Sequence, residues 1–253
     1  MTTLKLLSYN VRYGGTGREA QLAASIRAAD PDLVVLQEAT EPRVVERLAG
    51  ETGLKTWAAQ PGHSLAYLSR LPVARHEWHR PRGSKRHFIE IEPEGLALHV
   101  YGVHLSAVHS FFTERRRMRE LRSMLAWVGT RETDFHVFVG DFNTLAPGEL
   151  LDWRQLPLRL RPMVWLSGGS VRYQTIQIML ASGYLDGFRR LHPDREKEIG
   201  YTFPTWDPHV RLDFVFLPER FEGRLKECRV LTGEPVMKEA SDHFPLLAEF
   251  LVE

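Results

Sequence analysis

The side chains whose types and spacing could do chemistry sit where apolar runs stop. Asn10 follows the run that starts at Leu4, and Glu38 closes Val34-Val-Leu-Gln-Glu38. His104 ends Val100-Tyr-Gly-Val-His104, and Asp141 and Asn143 follow in Val139-Gly-Asp-Phe-Asn143. Asp213 lies inside Arg211-Leu-Asp-Phe-Val-Phe, and Asp242 and His243 open Ser241-Asp-His-Phe-Pro245. Taken singly, each has an ordinary explanation: a turn residue bonding its own backbone, a solvated glutamate, a structural histidine. Asp213 is harder to dismiss, because a carboxylate among Leu212, Phe214, Val215 and Phe216 is costly to bury unless paired. His243 is a reasonable partner for it. As a set, carboxylates and amides with two histidines and no cysteine ligand describe a hard-cation site rather than a structural zinc site. Mg²⁺ typically takes one or two carboxylates and completes its shell with water and substrate phosphate. Histidines beside it suit proton transfer at a metal-bound phosphate.

The elements that must position these groups alternate early and become strand-rich later. Leu4–Val11 reads as a buried strand stopped by Gly14-Gly15, and Leu33–Leu36 as a second. Helices are expected over Glu19–Ala29, ended by Asp30-Pro31, and over Pro42–Thr52, with Gly53 as the stop. Between Lys55 and Val103 the signals are mostly strand: Leu65–Ser69, Phe88–Ile91 and Leu96–Val103, separated by turns at Pro72, Pro81-Arg-Gly83 and Pro93-Glu-Gly95. A helix over Thr113–Val128, a strand over Phe135–Val139, a helix over Tyr173–Ala181 and late strands over Arg211–Leu217 and Asp242–Phe250 complete the reading. No repeat, low-complexity tract or linker interrupts it. One domain over residues 1–253, strand-rich layers covered by helices, is the simplest account.

Six motifs then fall in order along nearly the whole chain: Ser-Tyr-Asn10-Val-Arg, Leu-Gln-Glu38, Val-His104-Leu, Gly-Asp141-Phe-Asn143-Thr, Arg-Leu-Asp213-Phe-Val and Ser-Asp242-His243-Phe-Pro-Leu. This series resembles the endonuclease/exonuclease/phosphatase superfamily, which includes DNase I-like nucleases, exonuclease III type repair enzymes, inositol-polyphosphate 5-phosphatases and neutral sphingomyelinases. The resemblance implies an α/β fold: a four-layer α/β sandwich of two packed mixed β-sheets flanked by helices. It also implies a divalent-metal phosphoesterase site at one sheet end, with Mg²⁺ as cofactor and Mn²⁺ as a substitute. Carried over residue by residue, it makes Glu38 the main metal ligand, with Asn10 and Asp242 close to the same ion. It makes Asp141 the group that orients or deprotonates the attacking water, and Asn143 the amide that holds a phosphate oxygen. His243, oriented by Asp213, would contact the phosphate as base or charge stabiliser. His104 matches a second histidine that protonates the leaving oxygen. Two departures stand out. Arg12 replaces an acidic metal-site residue of the repair-type members, which argues for one tightly held metal and the DNase I-like branch. The stretch Pro61-Gly-His-Ser64 lacks the glutamate that pairs with the first histidine in the DNase I pattern, so His104 has no evident partner.

The substrate is signalled less directly. Arg80, Arg82, Lys85 and Arg86 share a Pro/Gly-bearing loop between strands, a candidate phosphate contact. Arg115, Arg116, Arg117, Arg119 and Arg122 crowd the helix after His104. There a solvated face offset by Glu114 and Glu120 competes with a phosphate-tracking one. Trp153, Met163, Trp165, Leu166 and Met179, with Gly168-Gly169 between, describe either added core or an apolar wall beside the site, and Trp206 could line the same cleft. Arg12, Arg82, Lys85, Arg86 and Trp206 are therefore the expected substrate contacts.

Composition sets the outer limits. With 253 residues, 33 Lys+Arg against 32 Asp+Glu and a formal net charge of +1, the chain is not an indiscriminate polycation that coats nucleic acid or membrane. Its single cysteine, Cys228, excludes a disulfide framework. No basic leader precedes the first strand, and Gly95–Thr113, although free of Asp, Glu, Lys and Arg, is too polar for a span. Within these limits the resemblance implies a metal-dependent phosphoesterase, with a cytoplasmic location expected, a nuclease or phosphodiesterase ahead of a lipid or small-molecule phosphodiesterase or phosphatase. A non-catalytic binding domain that kept the fold is the competing class. No obligate protein partner is indicated.

Overall fold

The computed structural model describes residues 2–107, 111–129, 134–149, 158, 161 and 173–252. The chain opens with β1 (Thr3–Asn10), α1 (Glu19–Ala29), β2 (Leu33–Gln37) and α2 (Pro42–Thr52), followed by β3 (Thr56–Ala59), β4 (Leu65–Ser69), β5 (Val73–His79), β6 (Phe88–Pro93) and β7 (His99–His104). Then come α3 (Phe111–Val128), β8 (His136–Asp141), α4 (Gln174–Ala181), β9 (Tyr184–Asp186), α5 (Gly187–Leu191), β10 (Asp213–Pro218), β11 (Leu225–Val230), α6 (Pro235–Ala240) and β12 (Leu246–Leu251).

The strands form two six-stranded mixed sheets, in the orders β11-β12-β1-β2-β4-β3 and β5-β6-β7-β8-β10-β9. Each is antiparallel except at its centre, where β1 runs parallel to β2 and β7 parallel to β8. Period-2 alternation sends Leu4 and Leu6 of β1, Val35 of β2, Val100 of β7, Val137 and Val139 of β8 and Val215 of β10 into one core between the sheets. The opposite faces pack under helices: Leu22, Ile26, Val45 and Leu48 cover Leu7, Tyr9 and Leu36, while Leu121, Met124, Val128 and Met179 cover Val103, Phe138 and Phe214. The result is the four-layer α/β sandwich expected from the sequence. At Gly102 an added Cβ would lie 2.6 Å from Ile89 Cγ2 and 2.7 Å from Val35 Cγ1. The sheets meet there at a distance only glycine permits. No helix among the described residues is long and apolar enough to cross a membrane.

Several boundaries differ from the sequence reading. The last strand begins at Leu246, not Asp242: the His243 amide bonds the Ser241 hydroxyl at 3.3 Å, and Pro245 has no N–H to give a ladder. Asp213 is the first residue of β10 rather than its interior, and β7 begins at His99 because Pro93–Leu96 closes a turn. The edge strands β3 and β11 carry mixed polar and apolar residues on one-sided surfaces, which hid their alternation.

Candidate active site

The alternation that builds the inter-sheet core also builds the site. Continuing the inward-facing rows brings Asn10 to the end of β1, His104 to the end of β7, Asp141 to the end of β8 and Asp213 to the start of β10. Register locks them together, since His104 pairs with Asp141 across the parallel ladder and Asp213 pairs with Asp141 across the antiparallel one. Gly140 makes this possible: its φ is 146°, and a Cβ there would lie 1.9 Å from the Val103 carbonyl oxygen. All four polar side chains are buried.

Loops supply the remaining groups in strained backbone. Arg12, Tyr13, Glu38 and Asn143 have φ values of 53°, 48°, 56° and 52°. Non-glycine residues adopt this left-handed region at a cost of about 1–3 kcal/mol, and such strain clusters at functional sites. The turn at Glu38 lifts its side chain out of the sheet. Its Oε2 accepts the Tyr13 amide at 2.6 Å, and its Oε1 lies 3.5 Å from Asn10 Nδ2. Asn10 donates to Asp141 Oδ2 at 3.1 Å, while its own side-chain oxygen accepts the Arg12 amide at 2.9 Å. Asn143 donates its backbone amide to Asp141 Oδ1 at 2.8 Å and its side-chain amide to the Leu105 carbonyl at 3.1 Å.

The histidines differ in their electrical state. His243 Nδ1 lies 2.8 Å from Asp213 Oδ2, which directs Nε2 toward Asp141 Oδ2 at 4.0 Å. Burial alone would lower the His243 pKa, but Asp213, with help from Asp141, raises it to about 10, so the imidazolium persists at neutral pH. His104 Nε2 lies 3.9 Å from the same Asp141 oxygen. Neither of its ring nitrogens has a hydrogen-bond partner among the described residues, and burial, then Arg86 and His243, push its pKa down to about 3. Burial raises the Asp141 pKa well above the ordinary carboxylate range, opposed by His243 and reinforced by Asp213.

Glu38 and Asp242 are partly exposed at the mouth of this seam, with Asp141, Asp213 and His243 behind them, each of the latter offering an atom within 4.8 Å of the others. One oxygen of Asp213 is buried without a partner. Oxygen donors of this kind fit a hard divalent cation. Asp242 is shared: its Oδ2 pairs with Arg12 Nε at 3.3 Å.

The expected substrate contacts lie at two places. Arg12 and Trp206 border the mouth, with the Arg12 guanidinium 6.0 Å from the Trp206 ring and 5.5 Å from that of Tyr13. Arg86 faces His104 closely enough to depress its pKa. Arg82 and Lys85 are exposed on the same β5–β6 loop, whose Gly83 abuts Ser123 of α3. In α3, Arg117 is buried on Glu114 and the Ser106 carbonyl, so the arginine row is not one solvated face. Glu114 and Glu120 are buried as well, Glu114 on Thr175 and Thr144 and Glu120 on Ser106, and neither offsets surface charge. Met179 is buried core, and Trp153, Met163, Trp165, Leu166, Gly168 and Gly169 lie outside the described residues.

Two arginines that brace the site escaped the sequence reading. Arg18 donates to the carbonyls of Val11, Arg12 and Ala240, tying the loop after β1 to the loop of Asp242 and His243. Arg211, fully buried, holds Asp186 and Glu149 and so joins the loop of Asn143 to the start of β10. Nothing in local sequence marks Arg18. Arg211, flanked by Val210 and Leu212, could have been suspected by the reasoning that singled out Asp213.

Comparison with known proteins agrees with this geometry. The pattern of the Endonuclease/Exonuclease/phosphatase family matches residues 7–243. Among solved structures, a 3′ phosphatase from Neisseria bound to a product DNA hairpin superposes with a TM-score of 0.72 at 19% identity, covering 98% of this chain and 99% of that one. An AP endonuclease from Archaeoglobus fulgidus gives 0.73 at 17%, covering 98% and 99%. An endonuclease/exonuclease/phosphatase protein from Beutenbergia cavernae gives 0.69 at 19%, covering 100% of this chain and 72% of that one. No curated protein matches by sequence.

Proposed function

This chain belongs to the endonuclease/exonuclease/phosphatase family, whose pattern spans residues 7–243, and from that premise we propose that it is a Mg²⁺-dependent phosphodiesterase that cleaves P–O bonds of a nucleic acid by in-line attack of water. It is a hydrolase of phosphoester bonds. The observation that carries it is the ring of polar atoms around Asp141 Oδ2: Asn10 Nδ2 at 3.1 Å, His104 Nε2 at 3.9 Å and His243 Nε2 at 4.0 Å. The two Nε2 atoms are beyond hydrogen-bond distance of that oxygen and are left to face an incoming phosphate.

Glu38 and Asp242 would hold the cation, with Asn10 fixing the Glu38 carboxylate. A bound Mg²⁺ supplies Lewis-acid stabilisation of charge at the phosphate. Asp141, its basicity raised by burial, orients the water and takes its proton. The His243 imidazolium, fixed by Asp213, stabilises the negative charge that grows on the phosphoryl oxygens, and the Asn143 amide holds one of them. His104 is neutral and buried and would position the leaving oxygen, which departs as an oxyanion when the P–O bond breaks and takes its proton from solvent. Residues 1–253 act as one domain. Arg12, Tyr13 and Trp206 present a cationic and aromatic rim suited to a phosphate flanked by a base.

The test is hydrolysis of bis(p-nitrophenyl) phosphate with Mg²⁺ and with EDTA by wild type, Glu38→Ala and His243→Ala. Metal-dependent turnover that both variants lose supports the mechanism, whereas undiminished turnover in both sinks it. A second panel of single-stranded DNA, duplex DNA, RNA, phosphoinositide and sphingomyelin settles substrate class. Preference for a nucleic acid with steep salt inhibition is the expected result, and activity confined to dispersed lipid overturns it.

A further inference from the structure

The outer face of the second sheet carries a cluster of metal-ligating side chains that the phosphoesterase chemistry does not use. Alternation places Arg75, Glu77 and His79 of β5, Glu90 and Glu92 of β6, and His99 and Tyr101 of β7 on this face, while Ile89 and Ile91 point into the inter-sheet core. Register sets Glu77 directly across from Glu90, and Arg75 across from Glu92. Like charges paired across a ladder are destabilising, and Glu90 is fully buried. Arg75, 2.6 Å from Glu77 and 4.0 Å from Glu90, and His79, 2.8 Å from Glu90, answer part of this charge.

We propose that Glu90, Glu92 and His99 form a second divalent-cation site, for a zinc-class ion, at the end of β7 opposite the catalytic centre. The spacing carries the assignment. His99 Nδ1 lies 3.4 Å from Glu90 Oε1 and 3.4 Å from Glu92 Oε1. Tetrahedral ligands bound at about 2.1 Å lie about 3.4 Å from one another, so both separations match the edge of a zinc coordination shell. The His99 Nδ1 atom is itself buried and makes no hydrogen bond. One imidazole with two carboxylates suits Zn²⁺ better than Mg²⁺, which prefers oxygen alone. Around these ligands stand groups that would orient them. His79 Nε2 is 2.8 Å from Glu90 Oε2, Tyr101 OH is 3.4 Å from Glu90 Oε1, and Arg75 Nη1 is 3.4 Å from Glu92 Oε1. Glu92 and His99 also border a cavity of about 540 Å³ with Asp134, Phe135, Phe221 and Arg224, which leaves an open side for water or a further donor. Five residue steps of strand put this site about 17 Å from His104, too far to share an ion with Glu38.

The competing account is a protonated His99 bridging the two carboxylates, with its pKa raised by contact with Glu90, against burial, and by the fields of Glu92 and Asp134. The experiment separates the two. The protein, residues 1–253, stripped with EDTA, is titrated with Zn²⁺ against a chromophoric chelator in a Glu38→Ala/Asp242→Ala background that removes the proposed catalytic ion. One zinc equivalent is expected there, weakened more than about 100-fold by His99→Ala and by Glu92→Gln, since even outer partners of a ligand cost about 10–100-fold. Zn²⁺ should also raise Tm in that background and leave the Tm of the His99→Ala version unchanged, while circular dichroism without metal is the same for both. Absence of stoichiometric zinc, or zinc binding that His99→Ala and Glu92→Gln leave intact, overturns the proposal. In an otherwise wild-type chain, His99→Ala should keep full Mg²⁺-dependent turnover, which separates this site from the phosphoesterase reading.

Discussion

Replacing Asp213 by Asn isolates the charge on His243 from its position. The side chains are isosteric, and Asn can still accept from Nδ1, so the ring keeps its place 2.8 Å away while the carboxylate charge is removed. With Asp213 present, His243 titrates at about 10 instead of 6.5, so at pH 7.5 only about 0.3% of it is neutral. Without that charge, burial dominates and carries the pKa below 6.5, leaving less than about 10% charged at pH 7.5. Asp141, 4.0 Å from Nε2, offers only a partial substitute because burial raises its own pKa. Loss of a fixed donor at a developing charge costs about 10²–10³ in kcat, or roughly 3–4 kcal/mol. The assay is kcat for bis(p-nitrophenyl) phosphate from pH 5 to 10 with saturating Mg²⁺. Expected are a drop of about 10²-fold or more at pH 7.5, little change in KM, and a basic limb displaced from near pH 10 to below neutrality. Stability should follow the same pair. A raised pKa in the fold stabilises fully below the unfolded value near 6.5 and is lost as pH rises through 10, so wild type and variant should converge in Tm at high pH. A kcat within threefold of wild type with an unmoved basic limb would refute the assignment of His243 as the charged group.

Further consequences follow from the framework. Gly140→Ala must abandon a φ of 146° and would set its Cβ 1.9 Å from the Val103 carbonyl oxygen. It should cost about 3–5 kcal/mol, lower Tm by roughly 10 °C and abolish activity, read by calorimetry and turnover. Arg18→Met removes a guanidinium shared by three carbonyls. That should cost about 1–3 kcal/mol while weakening Mg²⁺ activation, seen as a higher metal concentration for half-maximal rate. Trp206 is 65% exposed. Trp206→Ala should therefore leave Tm unchanged and raise KM for single-stranded DNA about tenfold with kcat nearly constant, the loss of one stacked base. His104 titrates at about 3, below its unfolded value near 6.5, so its contribution is full above pH 6.5 and declines as pH falls toward 3. His104→Asn should accordingly lose less stability on acidification than wild type, measured as Tm against pH.

The sandwich was legible in sequence because its central strands are uniformly apolar and end in polar residues. Leu33–Leu36 and Leu65–Ser69 needed no tertiary information. Helix ends at Asp30-Pro31 and Gly53 were equally explicit, through a residue barred from the helix and a left-handed stop. The pairing of Asp213 with His243 was also readable, since an aspartate among phenylalanines needs a partner and few side chains can supply one. What composition, periodicity and spacing could not supply, and only the family resemblance implied for the catalytic groups, is whatever depends on register between distant strands. The convergence of His104, Asp141 and Asp213 is set by ladders linking segments far apart in the chain, and the Glu90, Glu92 and His99 cluster arises only when strands align. Arg18 acts on carbonyls, which carry no sequence signal at all.

Arg12 bears on how the site divides its labour. Its guanidinium, 41% exposed, sits 3.3 Å from Asp242 and near the Tyr13 and Trp206 rings, so one permanent positive charge already faces Asp242. A divalent ion drawn to Asp242 would be repelled by that charge, with solvent screening the half-exposed guanidinium in part. Among the described residues no cation contacts Glu38, although Arg18 lies within its field; the carboxylate meets the Tyr13 amide and the Asn10 side chain, both neutral donors. On the proposed function, that field would favour a single ion on the Glu38 side, with Asp242 serving Arg12 as well as the cation. An acidic residue at position 12 would reverse that balance and make room for a second ion. On the same proposal, the half-exposed guanidinium would also be available to a phosphate next to the one being cleaved. The proposal thereby couples the number of ions to the rim of Arg12, Tyr13 and Trp206.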